Sequence, residues 1–559
     1  MAGEVESISP ASFLIPCSCR GGDSVAAEEG VSLTATDRSV TRDSSSRAGS
    51  VTGALLISRL LGLGRDMVLN MLLGAGPTSD ALRAALKIPS MFRDLVAEGS
   101  VSAAFLPSFE EQKVTGGLNA ALRFSRAALT LLLLGSTLIA VLLWHFAPAW
   151  MQQLAPGLEK PQLALQLFNG LLPFLLMVPF LAILRGLLLA ADRNRSAMAA
   201  QALQNATLIG AGLWMVTEVQ TPELVASGWT WAFLIGAAGS VGMLAISCRT
   251  VHPIPLPTLG LRAAGTGRFC RDLIFQLLAS SVTYINSLMA IHFATLIGTG
   301  AVTYLDNAFR FHFLPVALIG VALGTIAGVD AARLVARKQS RALAIRIGRN
   351  LRNALFISLP AAVGLAILAD PLIRVLLQRG QFTAANTTET VAVLKIFCVS
   401  IPFACLCPAL IRTSMALGLR TLLMPASVAA LLVNWTLLAS LEGRWGVPGL
   451  AAASVISTIT SWIIFEVGLR KHLALPRPRF AAVLRNVCVV VAVASVTGVV
   501  LQLSRSLPGP TWVADLFSLI AGVSLGMGIT IVVGRATGAP EVRALQKLLR
   551  SVVRVFHRS

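Results

Sequence analysis

Charged residues are scarce. They make up 13% of the 559 residues, against about 25% in an ordinary soluble domain. Acids are scarcer still, with 26 Asp+Glu against 46 Lys+Arg. This excludes a disordered chain, a collagen-like repeat and almost every soluble enzyme. Cysteine offers no framework either. None of the eight (Cys17, Cys19, Cys248, Cys270, Cys398, Cys405, Cys407 and Cys488) forms a CxxC pair, and most lie in or beside apolar runs. They read as small hydrophobes. The six histidines are scattered without metal-ligand spacing. No GxxxxGK phosphate loop, no GxSxG serine and no Cys/His arrangement in a polar context appears. The chain therefore reads as no enzyme, with no cofactor and no metal site. Any transport it performs must draw on an ion gradient, the membrane potential or downstream consumption.

What is present is apolar length. Hydrophobic types make up 55% and mean hydropathy is +0.75. Segments long enough to span a bilayer recur about 14 times. They lie near 51–73, 78–107, 124–147, 165–190, 197–217, 227–248, 272–297, 301–331, 353–378, 388–416, 421–440, 446–469, 483–504 and 512–534. The fold class expected is all-α, a polytopic membrane protein. Residues 1–49 are polar, and Phe13-Leu14-Ile15 is too short for a signal-peptide core. They read as a disordered cytoplasmic tail or a mis-assigned start site.

The net charge of +20 first suggests nucleic acid, but the basic residues punctuate apolar runs and form no single patch. Sorted by connection, roughly 33 of them fall on one side of the expected bundle, 6 on the other and 7 inside spans. The basic side is the cytoplasm, with both termini in it. An internal repeat is also visible. Pro173-Phe174, Pro179, Arg185 and Asn205 are echoed by Pro402-Phe403, Pro408, Arg412 and Asn434, about six spans later. A weaker echo pairs Pro89, Gly99 and Ser100 with Pro315, Gly324 and Thr325. Such a unit gives parallel halves around a membrane-normal axis, the plan of a two-lobe alternating-access transporter.

Charge inside the spans is the sharpest feature. Arg59, Arg65, Arg83, Lys87, Arg93, Arg185 and Arg310 each cost roughly 2.5–3.5 kcal/mol at a helix centre. Facing lipid together at mid-depth, they would cost on the order of 20 kcal/mol, which no marginally stable fold tolerates. They must line a wet cavity, pair internally or snorkel. Nearby acids are Asp66, Asp80, Asp94 and Glu98. Pairing leaves positive charge over, and Arg310 has no acid on its own helix turn, Asp306 lying four residues earlier. A cavity of unneutralised arginines suits an anion, and the guanidinium fork suits phosphate. A structural ion pair is the alternative for each, and the favoured one for Arg83 and Arg185. Gly62 and Gly64 punctuate span 1, and Pro89, Gly99 and Pro107 span 2. Broken spans belong where they line a cavity or move.

The stretch Ser58-Arg59-Leu60-Leu61-Gly62-Leu63-Gly64-Arg65-Asp66 resembles the first-helix signature of the MurJ/MviN family, lipid II flippases of the MOP exporter superfamily. The likeness continues through Gly74-Ala75-Gly76, Asp80-Ala81, Lys87-Ile88-Pro89, Arg93, Ala97-Glu98-Gly99-Ser100 and Ala104-Phe105-Leu106-Pro107. Arg310, Pro315 and Gly320-Val321-Ala322-Leu323-Gly324-Thr325 look like the eighth-helix motif, and Arg379-Gly380-Gln381-Phe382 like the ninth-helix end. The resemblance spans about residues 50–535. It implies an N-terminal lobe over 50–250 (spans 1–6), a C-terminal lobe over 270–475 (spans 7–12), spans 13–14 over 480–535, and a basic cytoplasmic tail over 536–559. It implies flipping of lipid II, the undecaprenyl-diphosphate-linked disaccharide-pentapeptide, across the bacterial inner membrane for peptidoglycan synthesis, with association with the cell-wall synthesis machinery. It places substrate binding on Arg59, Arg65, Arg93 and Arg310. Asp66, Asp80, Lys87 and Glu98 form the supporting charge network. Gly62, Gly64, Pro89, Gly99, Pro107 and Pro315 are the hinge or break positions. The chain also departs from the family pattern. Tyr-Ala-Asp-Arg is here Asn307-Ala308-Phe309-Arg310, and Leu438 stands where some members carry an acid near a sodium site. A flippase for another polyprenyl-linked glycan, or a non-transporting paralogue or scaffold, are the alternatives.

Overall fold

Glycine and proline set the helix boundaries. A computed structural model of the chain describes residues 58–546, apart from 219–220, 259, 261–262, 477–479 and 507–509. Side chains at 98–100, 102–103, 278–280, 282–283, 420 and 441–444 fall outside the description. The expected N-terminal tail, the start of span 1 and residues 547–559 lie outside the described residues.

Helix α1 covers 58–73 and stops at Gly74, whose φ of 57° a side chain adopts only under strain. Helix α2 (Pro77–Arg93) opens on proline, which needs no amide partner there. The break expected at Pro89, Gly99 and Pro107 takes another form. Pro89 lies inside α2 and Pro107 inside α3 (Val101–His145). Between them the backbone widens into a π turn over Asp94–Ser100, which holds Gly99, and the bend comes later, at Gly117 (φ 74°, ψ 179°). A π turn re-forms backbone bonds that proline frees, so the helix swells without breaking. Helices α4 (Ala147–Leu154), α5 (Pro161–Leu171), α6 (Pro173–Ala190), α7 (Asn194–Glu218) and α8 (Pro222–Arg249) complete the first half. Expected span 4 is thus divided, between α5 and α6.

The second half begins with α9 (Thr266–Ile297) and α10 (Ala301–Pro315). As at Pro89, Pro315 leads into a π turn, Val316–Val321, before α11 (Ala322–Ala336). Helices α12 (Ser340–Ile367), α13 (Ala369–Leu377), α14 (Ala384–Ala416) and α15 (Arg420–His472) follow, α15 being interrupted at Gly446 (φ 57°). A pair, α16 (Phe480–Arg505) and α17 (Thr511–Ala536), ends the bundle. Among the described residues there is no strand, and ten helical segments are long and apolar enough to cross a membrane. The described parts of the other four expected spans, 58–73, 78–107, 197–217 and 272–297, are helical but do not meet that test. The outer surface carries large apolar side chains such as Trp231, Trp435 and Ile520, as a lipid-facing surface does.

Packing follows the two halves. Helix α3 lies on α6, α7 on α8 and α2 on α5. In the second half α14 touches α10, α11, α12 and α15, while α9 lies on α15. The Gly320–Gly324 spacing explains itself here. A Cβ at Gly320 would stand 2.8 Å from Cys405 Cα, and one at Gly324 2.6 Å from Pro408 Cβ. Small residues four apart let the π turn and α11 press on α14. Gly62 and Gly64 are looser and break nothing. Helix α1 is continuous through them, and their would-be Cβ atoms lie 3.6 Å from Asn205 Nδ2 and 3.4 Å from Ile209 Cδ1 on α7. The stretch expected as a basic tail is packed at its start. Val542 and Leu545 are buried, and buried Glu541 pairs with Arg485 at 2.8 Å and Arg352 at 3.8 Å.

Candidate substrate cavity

A cavity of about 430 Å³ opens between α1, the end of α2, α6, α7, α8 and α10. Its lining carries five guanidinium groups, Arg59, Arg65, Arg93, Arg185 and Arg310, against two carboxylates, Asp66 and Asp94. Five against two leaves +3 in a space enclosed by apolar helices. The four arginines of the sequence reading therefore come together. Arg185, which the sequence favoured as structural, joins them, and its Nε is buried with no hydrogen-bond partner among the described residues.

Most of these arginines are held. Arg65 donates from Nε (3.0 Å) and Nη2 (2.8 Å) to Asp66 Oδ1, and from Nη1 to Asn205 Oδ1 at 3.3 Å. Arg93 grips its neighbour Asp94 in the same way, at 3.0 and 2.8 Å. Arg59 lies 6.0 Å from the ring centre of Phe313, within cation–π reach. Arg310 donates to Asp66 Oδ2 and, at 3.1 and 3.0 Å, to Asp306 Oδ2.

That last contact corrects the charge balance. Asp306 closes one turn back onto Arg310 and also takes Arg83 Nη1 at 2.5 Å. The family motif has its acid immediately before the arginine, where this chain has Phe309. Here the carboxylate is supplied one turn earlier. The i,i+4 spacing was the signal, but one shared carboxylate between two arginines on different helices is invisible until those helices meet.

The remaining predicted acids and cations sort into a seam between the halves. Asp80 on α2 accepts from Gly300 N (2.6 Å), Thr303 N (3.0 Å) and Thr303 Oγ1 (2.7 Å). It caps the N-terminus of α10 from another helix, where amides point outward and the helix dipole favours an anion. Arg83, the residue favoured as a structural ion pair, is buried and donates to Asp306, Asn70 (3.0 Å) and Asn307 (3.5 Å). Asn70 and Asn307 bond each other in both directions, at 3.1 and 2.9 Å. Nothing in the sequence singles out that pair. Lys87 is half-buried within electrostatic reach of Asp306, Asp94 and Arg310. The Glu98 side chain lies outside the described residues.

Two closures lie at opposite ends of the helices. At the end of α1, Gln381 N donates to Met71 O at 2.9 Å, and Gly157 approaches Thr295, with Gly157 N donating to Thr295 Oγ1 at 3.4 Å. At the other end, fully buried Phe269 meets Phe124 edge-on at 5.8 Å and Phe105 at 6.5 Å, and Arg268 pairs with Glu111 at 2.6 Å. The halves also share a local pattern. Asn205 on α7 donates to Ser58 O on α1 at 3.1 Å, and Asn434 on α15 donates to Asn286 on α9.

A family model described as lipid II flippase MurJ matches residues 69–522. The chain belongs to the lipid II flippase MurJ family. Among its relatives, a probable lipid II flippase MurJ of Rhizobium tropici is 31% identical over 365 residues, which is 63% of this chain and 67% of that protein. One from Bdellovibrio bacteriovorus is 26% identical over 495 residues, 86% of this chain and 92% of that one. A solved lipid II flippase MurJ in an inward closed conformation superposes with a TM-score of 0.72 at 21% identity, covering 87% of this chain and 99% of that chain. A multidrug resistance MATE transporter of the MOP superfamily, inward-facing, gives 0.60 at 16% identity over 76% and 99%. The MurJ fold is thus the fold of this chain, and it is shared with MOP exporters of other function.

Proposed function

We propose that the protein moves lipid II from the inner to the outer leaflet of the bacterial inner membrane by alternating access. Its moving parts are the halves 50–250 and 270–475, with the 480–535 pair at their side and both termini on the cytoplasmic face. Delivery at the outer face is what would bring it beside the cell-wall synthesis machinery. Arg59, Arg65, Arg93 and Arg310 clamp the diphosphate while the polyprenyl tail stays in lipid. The observation that carries this reading is the +3 arginine cavity, within a chain of the lipid II flippase family. Positive charge at membrane depth is stabilised by an anion, and paired phosphates match the guanidinium forks.

The charge of the connections is the ground for assigning the two closures to faces. The connections at 74–76, 298–300 and 378–383 are the sparsely charged ones, expected outside. The seam of Asp80, Asn70–Asn307 and Gln381–Met71 is then the outer gate. The cluster of Phe105, Phe124 and Phe269 with the Arg268–Glu111 pair is the inner one. At about 430 Å³ the cavity falls at the low end of pockets that hold drug-sized ligands, about 300–1,000 Å³. A diphosphate with a disaccharide and pentapeptide needs more, so the inner gate must part to admit it.

The test is complementation. In a bacterium whose own flippase can be shut off, expression of this chain restores growth and lipid II translocation; if it never does, the assignment fails. Arg→Ala at each of positions 59, 65, 93 and 310 abolishes rescue while folded protein persists. Rescue retained in all four would sink the clamp. Lipid co-purifying with the protein, read by native mass spectrometry, separates lipid II from other polyprenyl-linked glycans.

A further inference from the structure

The arginines line only part of the cavity. Helix α7 contributes a second, uncharged wall of Gln201, Gln204 and Asn205, and Ser240 of α8 stands beside it. Two of these polar groups are fully engaged. Asn205 uses its amide nitrogen on Ser58 O and its oxygen on Arg65. The Ser240 hydroxyl lies 2.8 Å from the carbonyls of both Ala200 and Gly236, closing α8 on α7. Gln204 differs. It is 3% exposed, lines the cavity, and its Nε2 finds no hydrogen-bond partner among the described residues. A buried donor left unmade is costly, so a native structure that keeps one calls for an explanation.

Packing does not demand a glutamine there. The repeat that aligns Asn205 with Asn434 sets Gln204 against Val433 and Gln201 against Ala430. The same helix position in the second half therefore carries an apolar side chain. Helix α8 also makes room for the amide. The Gln204 side chain lies against Gly236, where a Cβ would stand 3.3 Å from Gln204 Cγ. The wall begins where the arginines end, since Asn205, which holds Arg65, is the next residue.

We infer that Gln204, with Gln201 one turn away, binds the sugar that follows the diphosphate, by exchanging hydrogen bonds with its hydroxyl or acetamido groups. A primary amide offers two donors and an acceptor in one plane, which suits neutral groups that also donate and accept. Phosphate oxygens, which only accept, go to the guanidinium side. This rests on the reading that the cargo is a polyprenyl diphosphate. It adds that selection for a glycosylated cargo lives on α7 and not in the arginines.

The test titrates the purified full-length chain with undecaprenyl diphosphate and with the same lipid bearing an N-acetylated disaccharide. Gln204→Leu lowers affinity for the glycosylated lipid about tenfold, the effect of a lost buried hydrogen bond, and leaves undecaprenyl diphosphate within about twofold. Gln201→Leu, at a half-buried position, shows the same pattern more weakly. An equal fall for both lipids would mean a collapsed cavity, and no change for either would mean that water satisfies the amide; each overturns the proposal. Wild-type protein that binds neither lipid overturns the flippase reading itself, which keeps the two failures apart.

Discussion

Replacing Asp306 with asparagine keeps the shape and removes one charge from the centre of the seam. The Arg83 side chain is 5% exposed and that of Asp306 28%. Removing one partner of a buried pair costs about 3–5 kcal/mol, because the other charge is left uncompensated. Two features lower that here. The Asp306 side chain is partly exposed, and Arg83 keeps Asn70, Asn307 and Ser79 as neutral acceptors at 3.0, 3.5 and 3.4 Å. Arg310 likewise keeps Asp66. About 2–3 kcal/mol of destabilisation is therefore expected for Asp306→Asn. The decisive measurement is a double-mutant cycle with Arg83→Gln, using unfolding titrations of the purified protein in mixed micelles. With the buried cation gone, the missing carboxylate matters less, so the double variant should be more stable than the sum of the singles by about 1–2 kcal/mol. Additivity within about 0.5 kcal/mol would refute the reasoning. Arg83 would then be solvated in the folded state, and the seam would not depend on its charge.

Other perturbations probe the two gates and the C-terminal pair. Gly380 has φ 58°, and a Cβ there would overlap the Met71 carbonyl and lie 2.8 Å from Met71 Cγ. Gly380→Ala should lower stability by about 2 kcal/mol or more, since the left-handed conformation alone costs roughly 1–2 kcal/mol. Gly135→Ala, where a Cβ meets nothing within 4 Å, is the neutral control, and equal thermal midpoints for the two would defeat the clasp. Phe269→Ala removes a fully buried ring between Phe105 and Phe124. It should cost about 3–5 kcal/mol and expose the inner end to thiol labelling; a loss below about 1 kcal/mol would show that the ring packs loosely. Glu541→Gln leaves Arg485, 14% exposed, without its carboxylate. Protease cleavage near residue 540 should then accelerate, and unchanged cleavage would place the segment's stability in Val542 and Leu545 alone.

The arginines were legible in the sequence because charge within an apolar run is expensive wherever it points. That argument needs no partner. It could not tell lining from seam. Arg185 looked structural because it sits near a helix end, yet it lines the cavity, and Arg310 looked unbalanced because acids were sought helix by helix. Asp66 serves Arg65 on its own helix and Arg310 on α10, a sharing that only the docking of the halves creates. Glycine was misread as well. Gly62 and Gly64 carry the same letters as a break, but the helix runs straight through them, with room for a Cβ at both. The bend fell at Gly117, and the prolines widened their helices into π turns. Gln201, Gln204 and Asn205 share one face of α7, and that spacing was the unread signal for a polar wall.

On the proposed reading, cargo and gate compete for the same atoms. Arg310 spends its guanidinium on Asp66 across the halves and on Asp306 beside it. A diphosphate that takes Arg65 and Arg310 removes from Asp66 the partners that tie α1 to α10. A ligand opens a gate only through a difference in affinity between the two states. Moving a two-state balance from 1:99 to 99:1 takes about 5.5 kcal/mol. Hydrogen bonds to charged groups contribute about 1.5–3 kcal/mol each, so exchanging two or three of them suffices. Of the three that Arg310 makes to carboxylates, the one to Asp66 crosses between the halves, and Arg65 supplies two more to the same carboxylate. The capping of α10 by Asp80 and the Asn70–Asn307 pair involve no arginine of the clamp, so cargo does not compete for them and they re-form to close the gate after release. The arginine cluster is thus placed to sense cargo as well as to hold it. Its position on the seam, and not its charge alone, is what couples binding to the change of face.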